Sequence, residues 1–267
     1  MNRKSFLVIW SVLRAGLLVG TFADLPFSLR LFDRNNIIAK GIDEFAMAPS
    51  MLLVELSCCV YSWYNHKDRM RFIVGIMLTE LMGFLCVNEI NSRFGMDMAL
   101  VIGLGTLLAL ASLVLVVKRR PDISETQYVT VVNIMLSALL IFVITSGLKT
   151  IWGRMRFYVM EDPVRQFTGW YIMKPWGISD SFRSFPSGHS SFSAMMFYLA
   201  LMLKMQKVKH SRIAAAVTVI WTAAVMWGRI TYGAHFLTDT CAGALIGTIC
   251  VYCGMLNIYK FIKSKEL

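Results

Sequence analysis

The chain has 267 residues, of which 57% are hydrophobic and 16% are charged, and its mean hydropathy is +0.59. This composition excludes an ordinary soluble domain. Because one helical span takes about 20 mostly apolar residues, it also leaves no room for a sizeable aqueous domain. The formal net charge of +11 would indicate nucleic acid or another anionic partner in a soluble protein, whereas in a membrane protein it bears first on topology.

Eight apolar runs, bounded by charged residues or by Gly, Pro and Asn clusters, predict the fold class. We expect an all-α, polytopic membrane helical bundle of about eight transmembrane helices, forming a single membrane domain over residues 1–267. The first run is interpreted as a retained helix, because Arg14 interrupts it and no small-residue cleavage site follows. The expected spans are about 5–23, 46–64, 71–89, 97–117, 128–148, 189–206, 212–228 and 238–259.

The distribution of charge predicts which side of the membrane holds the termini. An even number of spans places both termini on one side. With the N-terminus inside, the inner segments hold 15 basic and 4 acidic residues, and the outer segments hold 11 and 10. Since cytoplasmic loops carry the excess of Lys and Arg, we expect cytoplasmic N- and C-termini. The net charge is then a topology signal, and it predicts a bilayer and no nucleic acid as partner.

Two features allow more than one interpretation. Residues 24–45 mix apolar and charged side chains, which suits either an amphipathic element at the interface or an ordinary ordered loop. Arg14, Glu55 and Glu80 fall inside expected spans. Such residues either form a structural charge pair or mark a transport path, and we favour the structural pair.

A first cluster of chemistry-bearing residues lies at the outer end of the fifth span. Lys149 and Arg156 are seven positions apart, so a continued helix would place both cations on one face, about two turns apart. Taken alone, the pair is more typical of basic residues that contact lipid headgroups at a membrane boundary.

A second cluster, Pro186-Ser187-Gly188-His189, immediately precedes the sixth span. Pro followed by Ser and Gly is typical of a turn into a helix start, where free backbone N–H groups favour an anion. The Ser187 hydroxyl adds a donor, and His189 could act as a general acid near neutral pH. A helix N-cap with an incidental histidine is the equally weighted alternative.

A third cluster connects the seventh and eighth spans and contains Arg229, His235 and Asp239. On a helix, His235 and Asp239 would share a face, so the carboxylate could hold one imidazole N–H and leave the other nitrogen as a nucleophile. Arg229 supplies a fork of donors that suits phosphate oxygens. All three clusters fall at outward ends of different spans, whereas His66 and His210 lie in basic inner loops.

In this combination the sequence resembles the type 2 phosphatidic acid phosphatase superfamily of membrane phosphatases. The family pattern is Lys-x6-Arg-Pro, then Pro-Ser-Gly-His, then Ser-Arg-x5-His-x3-Asp, and this chain keeps the charged and nucleophilic positions of all three motifs. It departs at Phe157, where the family has Pro, and at Gly228, where the family has Ser. The resemblance implies a six-helix core plus an extra hairpin, with variable N-terminal helices over 1–120 and catalytic helices over 128–259.

The resemblance also implies a role for each matching residue. His235 would be the nucleophile that forms a phosphohistidine, Asp239 would hold its imidazole, and His189 would protonate the leaving group. The phosphate would be bound by Lys149, Arg156, Ser187, Gly188 and Arg229. No metal or other cofactor is expected, and the reaction would be hydrolysis of a lipid phosphate or diphosphate such as phosphatidate, phosphatidylglycerophosphate or a polyprenyl diphosphate.

The remaining expectations concern location and alternatives. The site would be extracytoplasmic. Compact size and short loops favour a bacterial plasma membrane, and the alternative is the endoplasmic reticulum, where the site would face the lumen. It would be flanked by aromatic residues that suit headgroup depth or form an ordinary interfacial belt: Trp152, Tyr158, Trp170, Tyr171 and Trp176. Arg154 and Arg183 are expected to be solvated, or else to contact phosphate or a lipid headgroup. Phosphotransfer to another acceptor, or transport, are the alternative functions. Gly243 and Gly247 suit internal helix packing or dimerisation, so the oligomeric state stays open.

Overall fold

The computed structural model describes residues 3–174 and 179–266, and these ranges contain helices and no strands. Trp176 lies outside the described residues. Short 3-10 turns occur at Phe157–Val159, Asp180–Phe182 and Ala194–Met196. The α-helices are α1 (Arg3–Leu31), α2 (Ile37–Phe45), α3 (Ala48–Tyr64), α4 (Arg69–Phe94), α5 (Met98–Arg119), α6 (Glu125–Trp152), α7 (Pro163–Gln166), α8 (Gly188–Ser193), α9 (Phe197–Met205), α10 (Ser211–Thr231) and α11 (Leu237–Lys265).

Within these ranges, seven helical stretches are long and apolar enough to cross a membrane, which makes the chain a multi-pass membrane protein. They coincide with seven of the eight expected spans. The stretches are Arg3–Leu31, Ile37–Tyr64, Arg69–Asn91, Met98–Arg119, Glu125–Val159, Ser211–Thr231 and Leu237–Lys265.

The sixth expected span, 189–206, has no such stretch among the described residues and is built instead from α8, a 3-10 turn and α9 in succession. Its first part is rich in buried serines that hydrogen-bond to the preceding turn of backbone. Ser191 Oγ donates to the carbonyl of Ser187 at 3.0 Å, and Ser193 Oγ donates to that of Ser190 at 2.9 Å. Such back-bonding bends helices, and it accompanies the broken geometry here.

The chain divides into two compact units, Met1–Ala46 with Leu139–Tyr252, and Met47–Ala138 with Cys253–Leu267. The first unit thus joins the N-terminal 46 residues to the helices that carry the three clusters. In the second unit, α3 and α5 both pack against α4.

Residues 24–45 form two helical parts rather than a loop. The first helix continues through Pro26 to Leu31, well beyond its expected end near residue 23. After a short turn, Asn36 caps α2 by accepting a hydrogen bond from the Ala39 N–H at 2.9 Å. Residues 37–45 are therefore helical, so the ordinary-loop alternative is wrong for them, whereas a position at the membrane interface stays a prediction.

Two close helix approaches shape the first unit. A Cβ at Gly228 of α10 would lie 2.9 Å from Ile42 Cγ2 of α2, so α2 packs directly on this glycine. Cβ atoms at Gly243 and Gly247 of α11 would lie 2.2 and 2.1 Å from the carbonyl oxygens of Ser187 and Ser191. The two glycines of α11 are thus used for packing within the chain, where they bring α8 against α11.

The intramembrane carboxylates of the second unit have neutral partners. Glu55 is fully buried and hydrogen-bonds with Cys59 at 3.7 Å and with Ser112. Glu80 accepts a hydrogen bond from Thr106. In the first unit, the Arg14 side chain is exposed. The partners of Glu55 and Glu80 are thus hydroxyl and thiol groups. The charge pair expected from the sequence is not among these contacts.

Candidate active site

The first cluster is formed by a helix end and a turn. Lys149 lies in the last turn of α6, which stops at Trp152, because Gly153 takes the left-handed conformation with φ of 55°. The expected continuation of the helix to Arg156 is therefore wrong. Arg156 is 8% exposed and is held by Asp180, whose carbonyl accepts from Nε at 2.9 Å and whose Oδ1 accepts from Nη2 at 2.6 Å.

The second cluster begins α8, as its Pro-Ser-Gly pattern predicts. Ser187 is the N-cap, and its Oγ accepts hydrogen bonds from the Ser190 N–H at 3.4 Å and the Ser190 hydroxyl at 3.0 Å. Its own N–H donates to the Asp239 carbonyl at 2.9 Å, which ties the second cluster to the third. Lys149 Nζ lies 3.6 Å from where a Cβ of Gly188 would be, so this cation lies against the start of α8.

His235 of the third cluster lies in the turn between α10 and α11, two residues before α11 begins. It is fully buried. Its Nδ1 lies 2.5 Å from the carbonyl oxygen of Ser184 and 3.9 Å from Asp239 Oδ2. Since a carbonyl oxygen only accepts, Nδ1 carries the proton and Nε2 presents its lone pair.

Asp239 therefore does not hold the imidazole directly, which corrects the expectation from the sequence. The helical i to i+4 geometry does not apply, because His235 precedes the helix. The carboxylate instead accepts hydrogen bonds from Arg154 Nη1 at 2.5 Å, from Ser184 Oγ at 2.5 Å and from the Phe236 N–H at 2.8 Å. Ser184 hydrogen-bonds to both residues and so links the carboxylate to His235, whose Nδ1 lies 3.9 Å from Asp239 Oδ2.

Arg154 was expected to be solvated or to contact phosphate, and the structure shows it buried, with 1% of its surface exposed. Its guanidinium joins Asp239 to Asp24, whose Oδ2 lies 2.9 Å from Nη2. Arg183, by contrast, is half-buried. No sequence pattern indicates the role of Asp24, because it lies 130 positions from Arg154 along the chain.

Arg229 is fixed by a second residue that sequence reasoning missed. Its Nη1 forms a buried ion pair with Asp43 of α2. Its Nε is buried and has no hydrogen-bond partner among the described residues. A buried guanidinium nitrogen without a partner is costly and is the arrangement that an anionic ligand would satisfy.

The charged groups that act on His235 come from all three clusters. Burial lowers the pKa of its imidazole well below the ordinary value, and nearby positive groups lower it further. Its Nε2, like Arg229 Nε, is buried and unpartnered among the residues described. The groups that act on the imidazole are Arg229, Arg156, Lys149 and His189.

The site thus places a neutral imidazole with an available lone pair among several cations. This is an arrangement for attack on an anionic electrophile such as a phosphoryl group. Within the described ranges, no group of three or more His, Cys, Asp and Glu side chains could hold a metal ion.

Both departures from the family pattern have a packing explanation. Phe157 is buried and makes edge contacts with Phe32 and Phe236, whose ring centroids lie 5.0 and 6.1 Å away. Gly228 provides the space in which Ile42 of α2 packs. In each case a residue from the N-terminal 46 positions packs where the motif is altered.

The flanking aromatics divide into packing and exposed residues. Trp152 Nε1 donates to the Trp170 carbonyl, and Trp170 Nε1 donates to Thr21 Oγ1 at 3.0 Å. Both rings pack near Phe185, at centroid distances of 4.7 and 5.9 Å. Tyr171, in contrast, is 61% exposed and is followed by two exposed apolar residues, Ile172 and Met173.

Comparison with known proteins tests the resemblance independently. Neither a curated protein nor a solved structure gives a match to this chain. One family model does match, over residues 127–263, and this region includes all three clusters. Since the match covers just over half of the chain, the protein belongs to the PAP2 superfamily.

Proposed function

We propose that this protein is a metal-independent membrane phosphatase that hydrolyses a lipid phosphate or diphosphate through a phosphohistidine on His235. Membership of the PAP2 superfamily supports a phosphatase. The observation that carries the proposal is that two buried side-chain nitrogens, Nε2 of His235 and Nε of Arg229, have no partner among the described residues, and that the charge of Arg229 acts on the His235 imidazole. A bound phosphoryl group would serve both, because phosphorus accepts the Nε2 lone pair and a nonbridging oxygen accepts a hydrogen bond from Arg229 Nε.

The first chemical step is attack by Nε2 of His235 on phosphorus. The proton on Nδ1 stays hydrogen-bonded to the Ser184 carbonyl at 2.5 Å, so the developing imidazolium charge is stabilised where it forms. The P–O bond to the leaving group breaks as the N–P bond forms. His189 donates a proton to the leaving oxygen, which departs as an alcohol or, from a diphosphate, as a phosphate monoester.

The second step returns the enzyme to its starting state. His189, now neutral, removes a proton from a water molecule that attacks phosphorus in line with the N–P bond. That bond breaks, and inorganic phosphate leaves. In both steps Lys149, Arg156 and Arg229, with the Ser187 hydroxyl and the Gly188 N–H, hold the nonbridging oxygens, and this fixed positive field replaces a metal ion.

The lipid substrate class is supported by the setting of the site. Three of its residues, Arg156, Arg229 and Asp239, lie near the ends of candidate spans. Tyr171, Ile172 and Met173 expose apolar surface on the adjoining loop. A substrate with a phosphate at headgroup depth and an acyl or prenyl tail in the bilayer fits this setting. The charge distribution supports an extracytoplasmic site, since the clusters fall on the side without the basic excess.

The test is phosphate release by the purified protein in detergent from phosphatidate, phosphatidylglycerophosphate and a polyprenyl diphosphate. We expect release from at least one of these lipids, with or without EDTA. His235→Ala should lower kcat by at least about a thousandfold, since the nucleophile is lost. His210→Ala is the matched control, because this histidine is exposed at the start of α10.

Three outcomes would contradict parts of this proposal. Equal activity in His235→Ala would remove the nucleophile assignment. Loss of activity in EDTA, restored only by added metal, would remove the metal-independent mechanism. Labelled phosphate that appears on an added lipid or sugar acceptor instead of in free phosphate would make the protein a phosphotransferase.

A further inference from the structure

Two buried charged residues, Asp24 of α1 and Arg154 after α6, match no position of the three family motifs. We propose that Asp24 and Arg154 are positioning residues that orient the imidazole of His235 through Asp239 and Ser184. The inference rests on the proposed function, in which Nε2 of His235 attacks phosphorus. Neither side chain is a catalytic residue, because both are at most 1% exposed and cannot touch substrate.

The first link joins Asp24 to Asp239 through one guanidinium. Arg154 Nη2 lies 2.9 Å from Asp24 Oδ2, and its Nη1 lies 2.5 Å from Asp239 Oδ1. Because the guanidinium is planar and rigid, each carboxylate restricts the position of the other. Arg154 is also held by the Thr168 carbonyl, which accepts from Nε at 3.0 Å, and by the Phe236 ring, whose centroid lies 4.1 Å from Cζ.

Charge explains why Asp24 matters to this link. Two buried carboxylates share a single guanidinium, and removal of one partner from such a group leaves a charge poorly compensated. Asp24 also fixes the start of α11, since its Oδ1 accepts from the Thr238 N–H at 2.9 Å and its Oδ2 accepts from the Thr238 hydroxyl. Thr238 Oγ1 in turn lies 2.9 Å from Arg154 Nη1.

The second link joins Asp239 to His235 through Ser184. The Ser184 hydroxyl donates to Asp239 Oδ2 at 2.5 Å, and the Ser184 carbonyl accepts from Nδ1 of His235 at 2.5 Å. The Ser184 N–H donates to the Arg154 carbonyl at 3.0 Å. Both ends of Ser184 are therefore held by the Arg154–Asp239 pair, which sets the position of the carbonyl that selects the imidazole tautomer.

Helix α1 can deliver Asp24 because it approaches α11 closely. A Cβ at Gly20 would lie 2.7 Å from Thr238 Cγ2 and 3.0 Å from Asp24 Oδ1, and one at Gly16 would lie 2.6 Å from Cys241 Sγ. Gly16, Gly20 and Asp24 are spaced four apart and share a helix face. This face brings the carboxylate to Arg154, so a larger side chain at position 20 would displace it.

The test reads the histidine tautomer directly and needs no substrate. Selective 15N labelling of the four histidines, with His235→Ala to assign the signal, shows by NMR which ring nitrogen of His235 carries the proton. In the wild-type protein we expect a single Nδ1–H tautomer. In Asp24→Asn, which keeps an acceptor for Thr238 but loses the ion pair, we expect a second tautomer to appear.

Kinetics on the lipid that the wild-type protein hydrolyses give the second readout. Asp24→Asn should lower kcat by about tenfold to a hundredfold, the usual cost of losing an orienting partner, and leave KM unchanged because the residue does not touch substrate. Gly20→Ala, which retains every polar group, should lower kcat less. Asp162→Asn is the matched control. It removes the carboxylate of an exposed ion pair with Arg165, in the same connection between α6 and α8 that contains Arg154.

A single unchanged tautomer in Asp24→Asn would overturn the proposal, whatever the activity. A raised KM at unchanged kcat would overturn it as well. If Asp24→Asn does not fold in detergent, the same two readouts on Gly20→Ala decide the matter. A wild-type protein without phosphatase activity would refute the proposed function alone, because the tautomer measurement would still test the orientation of His235.

Discussion

His235 is a histidine whose chemistry is set by its surroundings more than by its own side chain. An exposed imidazole is partly protonated near neutral pH, and a protonated one cannot attack phosphorus. Here burial, followed by the fields of Arg229, Arg156, Lys149 and His189, lowers the pKa well below the ordinary value. The cations that would bind phosphate therefore also keep the proposed nucleophile neutral.

This lowered pKa predicts a specific dependence of stability on pH. Above about pH 6.5, neither the folded nor the unfolded state protonates His235. Below that pH the unfolded state binds a proton that the folded state does not, so acid favours unfolding by up to about 1.4 kcal/mol per pH unit until the folded-state pKa is reached. Thermal unfolding in detergent should show that His235→Ala loses less stability than the wild type between pH 7.5 and 5.5. Equal losses in the two proteins would show that the folded state binds this proton as readily as the unfolded chain.

The negative charge of Asp43 opposes the positive electrostatic field of the cations that act on His235. It pairs with Arg229 Nη1, and its side chain is 15% exposed. Asp43→Asn would keep an acceptor for the guanidinium and remove a negative charge close to the expected phosphate. Because the remaining field is more positive, we expect the KM for a lipid phosphate to fall by about threefold to tenfold, and inorganic phosphate to inhibit more strongly.

The control for this prediction is Asp33→Asn, an exposed carboxylate that accepts from the Asn35 N–H in the turn before α2. It should leave KM unchanged. A raised KM in Asp43→Asn would mean that the fixed geometry of Arg229 matters more than the local charge.

At the scale of elements, α2 is a part of the first unit whose structure the sequence analysis left open between an amphipathic element and a loop. It packs on α10 at Gly228 and carries Asp43 to Arg229. The family pattern has Ser where this chain has Gly228, and a Cβ there would lie 2.9 Å from Ile42 Cγ2 and 3.3 Å from the Ala39 carbonyl. The glycine and the helix therefore depend on each other.

Gly228→Ser should consequently push Ile42 and displace α2. We expect the thermal stability in detergent to fall by about 1–3 kcal/mol, the usual cost of overpacking, and the KM to change with it, because Asp43 moves. The double variant Gly228→Ser/Ile42→Ala should recover much of the stability, since it removes the obstructing side chain. Additive losses in the double variant would show that the two residues do not compete for the same space.

For the whole molecule, the sequence predicts membrane spans well and long-range partners poorly. Apolar runs identify spans because each helix must present about 20 apolar residues to lipid. Seven of the eight expected spans coincide with helices that are long and apolar enough to cross a membrane. The three clusters are recognisable because residue types and spacing follow the chemistry. The family match over residues 127–263 confirms the resemblance drawn from them.

What the sequence could not predict depends on contacts between distant residues. As a charged residue after an apolar run, Asp24 predicts the end of the first helix near residue 23. The helix α1 continues to Leu31, because Arg154 neutralises the Asp24 carboxylate and Thr238 donates a hydrogen bond to it. Arg154 likewise resembles an ordinary basic residue at a membrane boundary, because its partners Asp24 and Asp239 are distant in the sequence. The sequence predicts Asp239 as the partner of the His235 imidazole, because it treats the two residues as parts of one helix. The actual partner, the Ser184 carbonyl, is a backbone group that no sequence motif indicates.

The close approach of α1 at Gly20 also limits which part of the protein can be exchanged. A segment of residues 127–263 moved into another membrane scaffold would carry all three motifs but would leave the Arg154 guanidinium without the Asp24 carboxylate. Transplanted catalysis then requires an acid at the equivalent point of the first helix and a small residue one turn before it. Chimeras that exchange N-terminal helices among relatives are thus compatible only when they share this carboxylate, whatever the similarity of their catalytic halves.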